Sequence, residues 1–140
     1  MTTYVIDASS TLKWIFEETE TQHATRLVSL YLDCKILLIA PSLWLYEVTN
    51  VLRSAYKRNK ITKKKIFTFQ ENILKTAPSL FHVESFVKEI LKTALEYDLS
   101  AYDASYVTLA KQNNYPFITS DAVLMSKIRK IVKTVSLSSF

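Results

Sequence analysis

Four acidic side chains in this 140-residue chain occupy positions suited to binding a cation. Asp7 and Asp121 each follow closely on a short apolar run, Glu47 lies about two turns into one predicted helix, and Asp103 lies in the first turn of another. Gathered at one site, four carboxylates would repel one another, and some would take up protons at neutral pH. A hard divalent cation, Mg²⁺ or Mn²⁺, held by carboxylates and water resolves that conflict.

Each acid also has a simpler structural interpretation. Asp7 and Asp121 are suited to capping the helices that follow them. Asp103 comes three residues after Ser100, the spacing of a capping box. Glu47 fits an exposed position less well, because apolar residues surround it from 43 to 52. Taken singly, the aspartates therefore remain ambiguous, and the hypothesis of a metal site rests on all four acids together.

The elements that must position these acids alternate between strand and helix. Runs of β-branched and aromatic residues predict strands, and apolar residues at intervals of three and four predict helices. The predicted strands are Tyr4–Ile6, Ile36–Ile39, Leu80–Val83, Phe117–Thr119 and Lys130–Leu137. The predicted helices are Thr11–Phe16, Thr21–Asp33, Pro41 to Asn59, Thr62–Thr76, Phe86–Tyr97, Ser100–Gln112 and a brief helix after Asp121.

This alternation predicts a single domain over residues 1–140, a three-layer α/β/α sandwich with a mostly parallel sheet. In such sheets ligands bind at the carboxyl ends of the strands, where the acids are expected.

Three details extend the prediction. Pro41 fits the first turn of a helix, Val87, Ile90, Leu91 and Ala94 face the core, and Asn113-Asn114 caps a helix in place of glycine. The acidic segment 17–20 closes the first helix.

The composition excludes several classes of site. Because glycine is absent, there is no Gly-rich phosphate loop or dinucleotide fingerprint. Cys34 is the lone cysteine, and His23 and His82 lack metal-binding spacing. No apolar run reaches the roughly 18 residues needed to span a bilayer, and no signal peptide is recognised, so we expect a cytoplasmic protein without a membrane segment.

The chain has a net charge of +5, and many of its basic residues lie in two segments. Six basic residues lie between Lys57 and Lys65, and four lie between Lys127 and Lys133. Such segments are either solvated helix faces or a footprint for a polyanion such as RNA.

Four motifs occur in order along essentially the whole chain, and together they resemble the PIN domain family, specifically its VapC-like toxin branch. The motifs are Val5-Ile6-Asp7-Ala8-Ser9, Ala40–Leu43 with Glu47–Leu52, Tyr102–Tyr106 through Leu109-Ala110, and Phe117–Asp121. Relatives often carry a glycine before the fourth motif, which this chain lacks, and Asn113-Asn114 can fill that backbone role.

The resemblance implies a function and a site. Asp7, Glu47, Asp103 and Asp121 match the family's metal-binding acids, and Ser9, Asn50 and Thr119 match polar residues near the metal. The implied activity is divalent-metal-dependent endoribonuclease cleavage of single-stranded RNA that leaves a 5′-phosphate. Lys63–Lys65 or Lys127–Lys133 would hold the RNA backbone.

The resemblance also implies partners. The first is a second copy of the chain in a homodimer. The second is a cognate VapB-like antitoxin, whose tail would dock between the helix from Pro41 and the helix after Thr62. Its apolar anchors on this chain would be Trp44, Leu45 and Phe69. Two other functions stay open: a PIN nuclease of RNA maturation, and a non-catalytic RNA-binding scaffold.

Overall fold

The central feature of the fold is a parallel β-sheet. A computed structural model describes residues 1–16 and 20–140, and all statements below concern that part of the chain. The strands are β1 (Thr2–Ile6), β2 (Ile36–Pro41), β3 (Ser79–Phe81), β4 (Phe117–Ile118) and β5 (Thr134–Val135). They form one sheet in the order β3-β2-β1-β4-β5, with every neighbouring pair parallel.

Helices follow the strands along the chain. They are α1 (Ala8–Leu12), α2 (Thr21–Leu32), α3 (Trp44–Lys57), α4 (Lys63–Lys75), α5 (Val87–Tyr97), α6 (Ala101–Asn113) and α7 (Ala122–Ile128). Short 3₁₀ turns occur at Glu84–Phe86 and Leu137–Ser139. Among the described residues, no helix is long and apolar enough to cross a membrane.

Both faces of the sheet are covered, which confirms the predicted three-layer α/β/α architecture. Neighbouring residues of a strand point to opposite faces, and the apolar pairs Val5-Ile6, Leu38-Ile39 and Phe117-Ile118 divide accordingly. One core contains Val5, Ile39 and Phe117 with side chains of α1, α3 and α6. The other contains Ile6, Leu38 and Ile118 with Leu27 of α2 and Leu137. This arrangement explains why β1, at the middle of the sheet, is apolar on both faces.

Two predicted helix starts were wrong. Pro41 is the last residue of β2, opposite Phe81, and α3 begins only at Trp44. The first helix begins at Ala8 because the Asp7 side chain caps it there, and it ends at Leu12. Residues 17–19 of the acidic segment expected to close that helix lie outside the described residues.

Two predicted strands and one helix face also differ from the structure. Strand β3 covers Ser79–Phe81, and only Thr134–Val135 of the predicted final strand is paired. Val87 and Leu91 were expected in the core, but each is 61% exposed. Helix α5 has two apolar stripes, and the one containing Ile90 packs inward. The pattern alone does not distinguish between two such stripes.

Four described non-glycine residues adopt a left-handed backbone, with φ between 52° and 56°: Cys34, Asn59, Asp98 and Asn114. Asn114 ends α6, as predicted for the Asn113-Asn114 pair. Asp98 ends α5 and sets the direction of the short link to α6. Asparagine and aspartate tolerate this conformation better than other L-residues, which lets a chain without glycine make these turns.

Candidate functional site

Asp7 is held at the carboxyl end of β1 by hydrogen bonds to both of its carboxylate oxygens. Oδ1 accepts bonds from the Ser10 backbone N–H and the Ser9 hydroxyl, each at 2.9 Å. Oδ2 accepts the hydroxyl of Thr119 at 2.5 Å. Asp7 is therefore a helix cap, as its simpler interpretation required, and a buried carboxylate with fixed orientation.

Thr119 joins Asp7 to the fourth acid. The buried hydroxyl of Thr119 accepts the backbone N–H of Asp121 at 3.1 Å. Asp121 in turn caps α7 through a bond from the Leu124 N–H to Oδ1 at 3.0 Å. The β1–β4 ladder continues to the bond from Asp7 N–H to the Ile118 carbonyl, which brings the two strand ends together.

Glu47 lies in the first turn of α3 and is fixed from another helix. The Tyr106 hydroxyl of α6 donates a hydrogen bond to Glu47 Oε1 at 2.6 Å. The Tyr106 ring is buried and stacks on Phe117, with ring centroids 6.0 Å apart and an angle of 14° between the planes. Asn50, one helical turn after Glu47, has an exposed side chain.

Asp103 occupies the first turn of α6. Its backbone N–H donates to the Ser100 hydroxyl at 3.1 Å, which forms one half of the predicted capping box. The Asp103 side chain is half-buried, and a hydrogen bond with the Ser100 side chain lowers the pKa of its carboxyl, against the larger effect of burial.

The electrostatics link the four acids. Burial is the first cause that raises the pKa of Asp7, of Glu47 and of Asp103. The charges of Asp7 and Asp103 further raise the pKa of Glu47, and the charge of Asp121 raises that of Asp103. The acids therefore repel one another from neighbouring positions, the situation that a bound cation relieves.

A single family model decides the classification. The model of the PIN domain matches residues 4–131. This chain belongs to the PIN domain family.

Solved structures share the fold of this PIN domain. PAE2754 from Pyrobaculum aerophilum aligns with a TM-score of 0.75 at 20% identity, over 99% of this chain and 92% of that one. FitAcB from Neisseria gonorrhoeae aligns with a TM-score of 0.67 at 14% identity, over 98% and 99%. VapBC2 from Rickettsia felis, solved bound to a DNA fragment from its promoter, aligns with a TM-score of 0.65 at 11% identity, over 96% of this chain and 98% of that one. A comparison with curated protein sequences finds no match.

The donor set of this PIN domain fits a hard divalent cation. Carboxylate oxygens are the ligands that Mg²⁺ and Mn²⁺ prefer, and the charges of neighbouring acids raise the pKa of Glu47 and of Asp103. As the side chains stand, no group of three or more His, Cys, Asp or Glu residues within 1–16 and 20–140 is arranged to hold a metal ion.

Two residues near the acids were not predicted as parts of this PIN-domain site. Tyr106 lies three residues after Asp103 on one helix face, the spacing that could have indicated its place. Lys127 was predicted only as a contact to RNA. Its ammonium donates to the Asp98 carbonyl at 2.7 Å, and its charge lowers the pKa of Asp103.

Glu20 lies beside the segment that links Thr119 to Asp121. Its Oε2 accepts the Ser120 hydroxyl at 3.4 Å, and the Ser120 hydroxyl lies 3.2 Å from that of Ser10. These contacts connect the start of α2 to the segment between Thr119 and Asp121.

Proposed function

We propose that this PIN domain is a divalent-metal-dependent endoribonuclease that cleaves single-stranded RNA and is the toxin of a VapBC-type pair. The observation that carries the proposal is the placement of four carboxylates from separate elements near one another: the charges of Asp7 and Asp103 raise the pKa of Glu47, and the charge of Asp121 raises the pKa of Asp103. Like charges held this close are costly to the fold, and a metal-dependent reaction is the function that best accounts for them.

The four acids would hold Mg²⁺ or Mn²⁺ in this proposal. The bound ion would polarise a phosphoryl oxygen of the RNA and lower the pKa of an attacking water. Ser9 and Thr119 orient Asp7 through their hydroxyls. Asn50 is assigned a supporting role, because it lies one helical turn from Glu47.

Lys127 is a basic side chain close enough to the acids for its charge to act on Asp103. A phosphate drawn toward Lys127 would therefore lie beside the acids. The arrangement favours the Lys127–Lys133 segment over Lys63–Lys65 as the part that positions the RNA backbone next to the reaction. The proposal places the protein in the cytoplasm, where its substrate is found.

A VapB-like antitoxin is the proposed partner, supported by the likeness to VapBC2 and to FitAB, which is solved bound to an IR36 DNA fragment. A groove of about 240 Å³ lies between α3 and α4. Its lining is mostly apolar with basic residues at the edge: Thr49, Leu52, Arg53, Tyr56, Lys63, Ile66, Phe67 and Gln70. An amphipathic segment with acidic side chains would match this lining.

The anchors expected for that partner need correction. Trp44 is fully buried, and its indole N–H donates to the Thr11 hydroxyl at 3.1 Å, so it cannot contact a partner. Leu45 and Phe69 pack against the core. The exposed Tyr56 and Phe67 are better placed as anchors.

A homodimer is proposed through α5. Val87, Leu91 and Leu95 form an exposed apolar ridge, and a groove of about 280 Å³ lined by Val87 and Tyr102 lies beside it. A ridge next to a groove allows two copies to fit each other around a two-fold axis. Light scattering at tens of micromolar should give twice the chain mass, and a Leu91→Glu variant should give the single mass.

The nuclease proposal is tested by RNA cleavage with and without Mn²⁺. The wild-type chain should cleave single-stranded RNA only with the metal, and Asp7→Asn should abolish cleavage. Asp33→Asn is the control, because Asp33 is an exposed carboxylate paired with Lys35 at the end of α2. Full activity of Asp7→Asn would refute the site.

A further inference from the structure

The Tyr106 hydroxyl, carried by α6, contacts an acid of the site that lies on another helix, Glu47 of α3. The bond from its hydroxyl to Glu47 Oε1 is 2.6 Å long and connects positions 59 residues apart in the sequence. Short bonds to a charged acceptor are the stronger kind. Helix α6 therefore holds the Glu47 carboxylate on α3 directly.

Packing fixes the position of this hydroxyl. The Tyr106 ring is 1% exposed and lies nearly parallel to Phe117, which is fully buried in β4. A ring enclosed in this way has little freedom to rotate away from Glu47. Because Thr119 directly follows β4, the strand whose Phe117 supports Tyr106 also leads into the hydroxyl that holds Asp7.

We propose that Tyr106 is a positioning residue that orients Glu47 for the divalent cation. The inference rests on the proposed metal-dependent function. Tyr106 engages Oε1 and so fixes the orientation of the Glu47 carboxylate that would hold the cation. Tyr106 also lies one turn from Asp103 on α6, so one rigid helix carries an acid of the site and the group that orients a second acid. Groups that hold metal ligands typically change metal affinity or activity by about 10- to 100-fold when removed.

A purely structural role for the hydroxyl predicts a different result, and Tyr31 provides the comparison. The Tyr31 hydroxyl donates to the Ala77 carbonyl at 2.9 Å and contacts none of the four acids. Tyr106→Phe and Tyr31→Phe each remove one hydroxyl and keep the ring. Both variants should lose thermal stability, but only Tyr106→Phe should bind the cation less tightly.

The experiment measures Mn²⁺ binding to the full chain by isothermal titration calorimetry, together with RNA cleavage over a range of Mn²⁺ concentrations. For Tyr106→Phe we expect an affinity about 10-fold weaker, and a cleavage rate that recovers as Mn²⁺ is raised. Tyr31→Phe should match the wild-type affinity. Melting curves of both variants confirm that each is folded during the titration.

The outcomes separate the two claims. If the wild type binds Mn²⁺ and cleaves RNA while Tyr106→Phe binds Mn²⁺ equally well, the role of Tyr106 is wrong and the nuclease proposal stands. An equal loss of affinity in Tyr31→Phe would also overturn the role, since the effect would then follow general stability. A wild-type chain that neither binds Mn²⁺ nor cleaves RNA would overturn both claims.

Discussion

The Thr119 hydroxyl donates to Asp7 Oδ2 at 2.5 Å and so joins the ends of two neighbouring strands across 112 residues of sequence. The hydroxyl oxygen of Thr119 also accepts the backbone N–H of Asp121. One small side chain thus fixes the position of one acid and the backbone of another. Thr119 is buried, so water cannot replace these bonds if the hydroxyl is removed.

Thr119→Val should therefore destabilise the protein by about 1–3 kcal/mol, the cost of leaving buried polar groups unpaired, and should weaken Mn²⁺ binding. Thr119→Ser should retain both properties because it keeps the hydroxyl. Urea unfolding and calorimetric Mn²⁺ titration measure the two effects.

Thr108→Val is the matched control. Among the described residues, the buried hydroxyl of Thr108 has no hydrogen-bond partner. Its replacement by a methyl group should be neutral or stabilising. Similar losses of stability in Thr108→Val and Thr119→Val would show that the bonds of Thr119 contribute nothing specific.

Asp7→Asn should increase the stability of the metal-free protein at neutral pH. Burial raises the pKa of Asp7 above its ordinary value of 3.8, despite the hydrogen bonds that lower it. The folded state therefore binds a proton more tightly than the unfolded chain does. The stability from this proton is present at low pH and is lost as pH rises from about 4 through the raised pKa.

The measurement is the free energy of unfolding against pH in the presence of a chelator. Wild-type stability should fall over that window, and the decline should be smaller in Asp7→Asn. Identical pH profiles for the two proteins would contradict the raised pKa.

Ser100→Ala should affect both stability and the site. Ser100 caps α6 by accepting the N–H of Asp103, and loss of such a cap costs about 1 kcal/mol. The first turn of α6 would fray, and the Asp103 carboxylate would lose its fixed position. We expect lower stability by urea unfolding and weaker Mn²⁺ binding by calorimetry.

Thr62→Ala separates these effects, because Thr62 caps α4 through an equivalent bond to the Lys65 N–H. It should lower stability by a similar amount and leave Mn²⁺ binding unchanged. If both cap variants weaken Mn²⁺ binding equally, the cap of α6 has no particular role in placing Asp103.

Lys127→Met should change metal and RNA binding in opposite directions. The Lys127 charge lowers the pKa of Asp103, so it also opposes a cation bound there. Its removal should tighten Mn²⁺ binding and weaken RNA binding, which would raise KM. Calorimetry and steady-state cleavage measure these changes, with the exposed Lys111→Met on α6 as control. Weaker Mn²⁺ binding in Lys127→Met would show that its bond to the Asp98 carbonyl matters more than its charge.

The sheet and its layers were predictable from sequence because β1, β2 and β4 are short apolar runs buried on both faces. The positions of Asp7 and Asp121 after strands, and of Asp103 at a helix start, were predictable from local sequence. Their convergence with Glu47 on one bound metal stays a prediction for the assays above.

Other features depend on tertiary contacts that local sequence does not contain. The bond from Tyr106 to Glu47 joins two helices, and no periodicity within either helix indicates it. The outward position of Val87 and Leu91 depends on which stripe of α5 meets α6. The early start of α1 followed from Asp7, which acts as a helix cap while it lies among the acids.

The left-handed residue Cys34 offers a practical use of this fold. Cys34 is the only cysteine in the sequence, and its thiol is exposed at the turn between α2 and β2. That turn precedes β2, so it lies at the amino edge of the parallel sheet, away from the carboxyl edge where the acids gather. A fluorophore or spin label attached there by maleimide chemistry would lie at the opposite edge of the sheet from Asp7 and Asp121, at one defined position of the sequence.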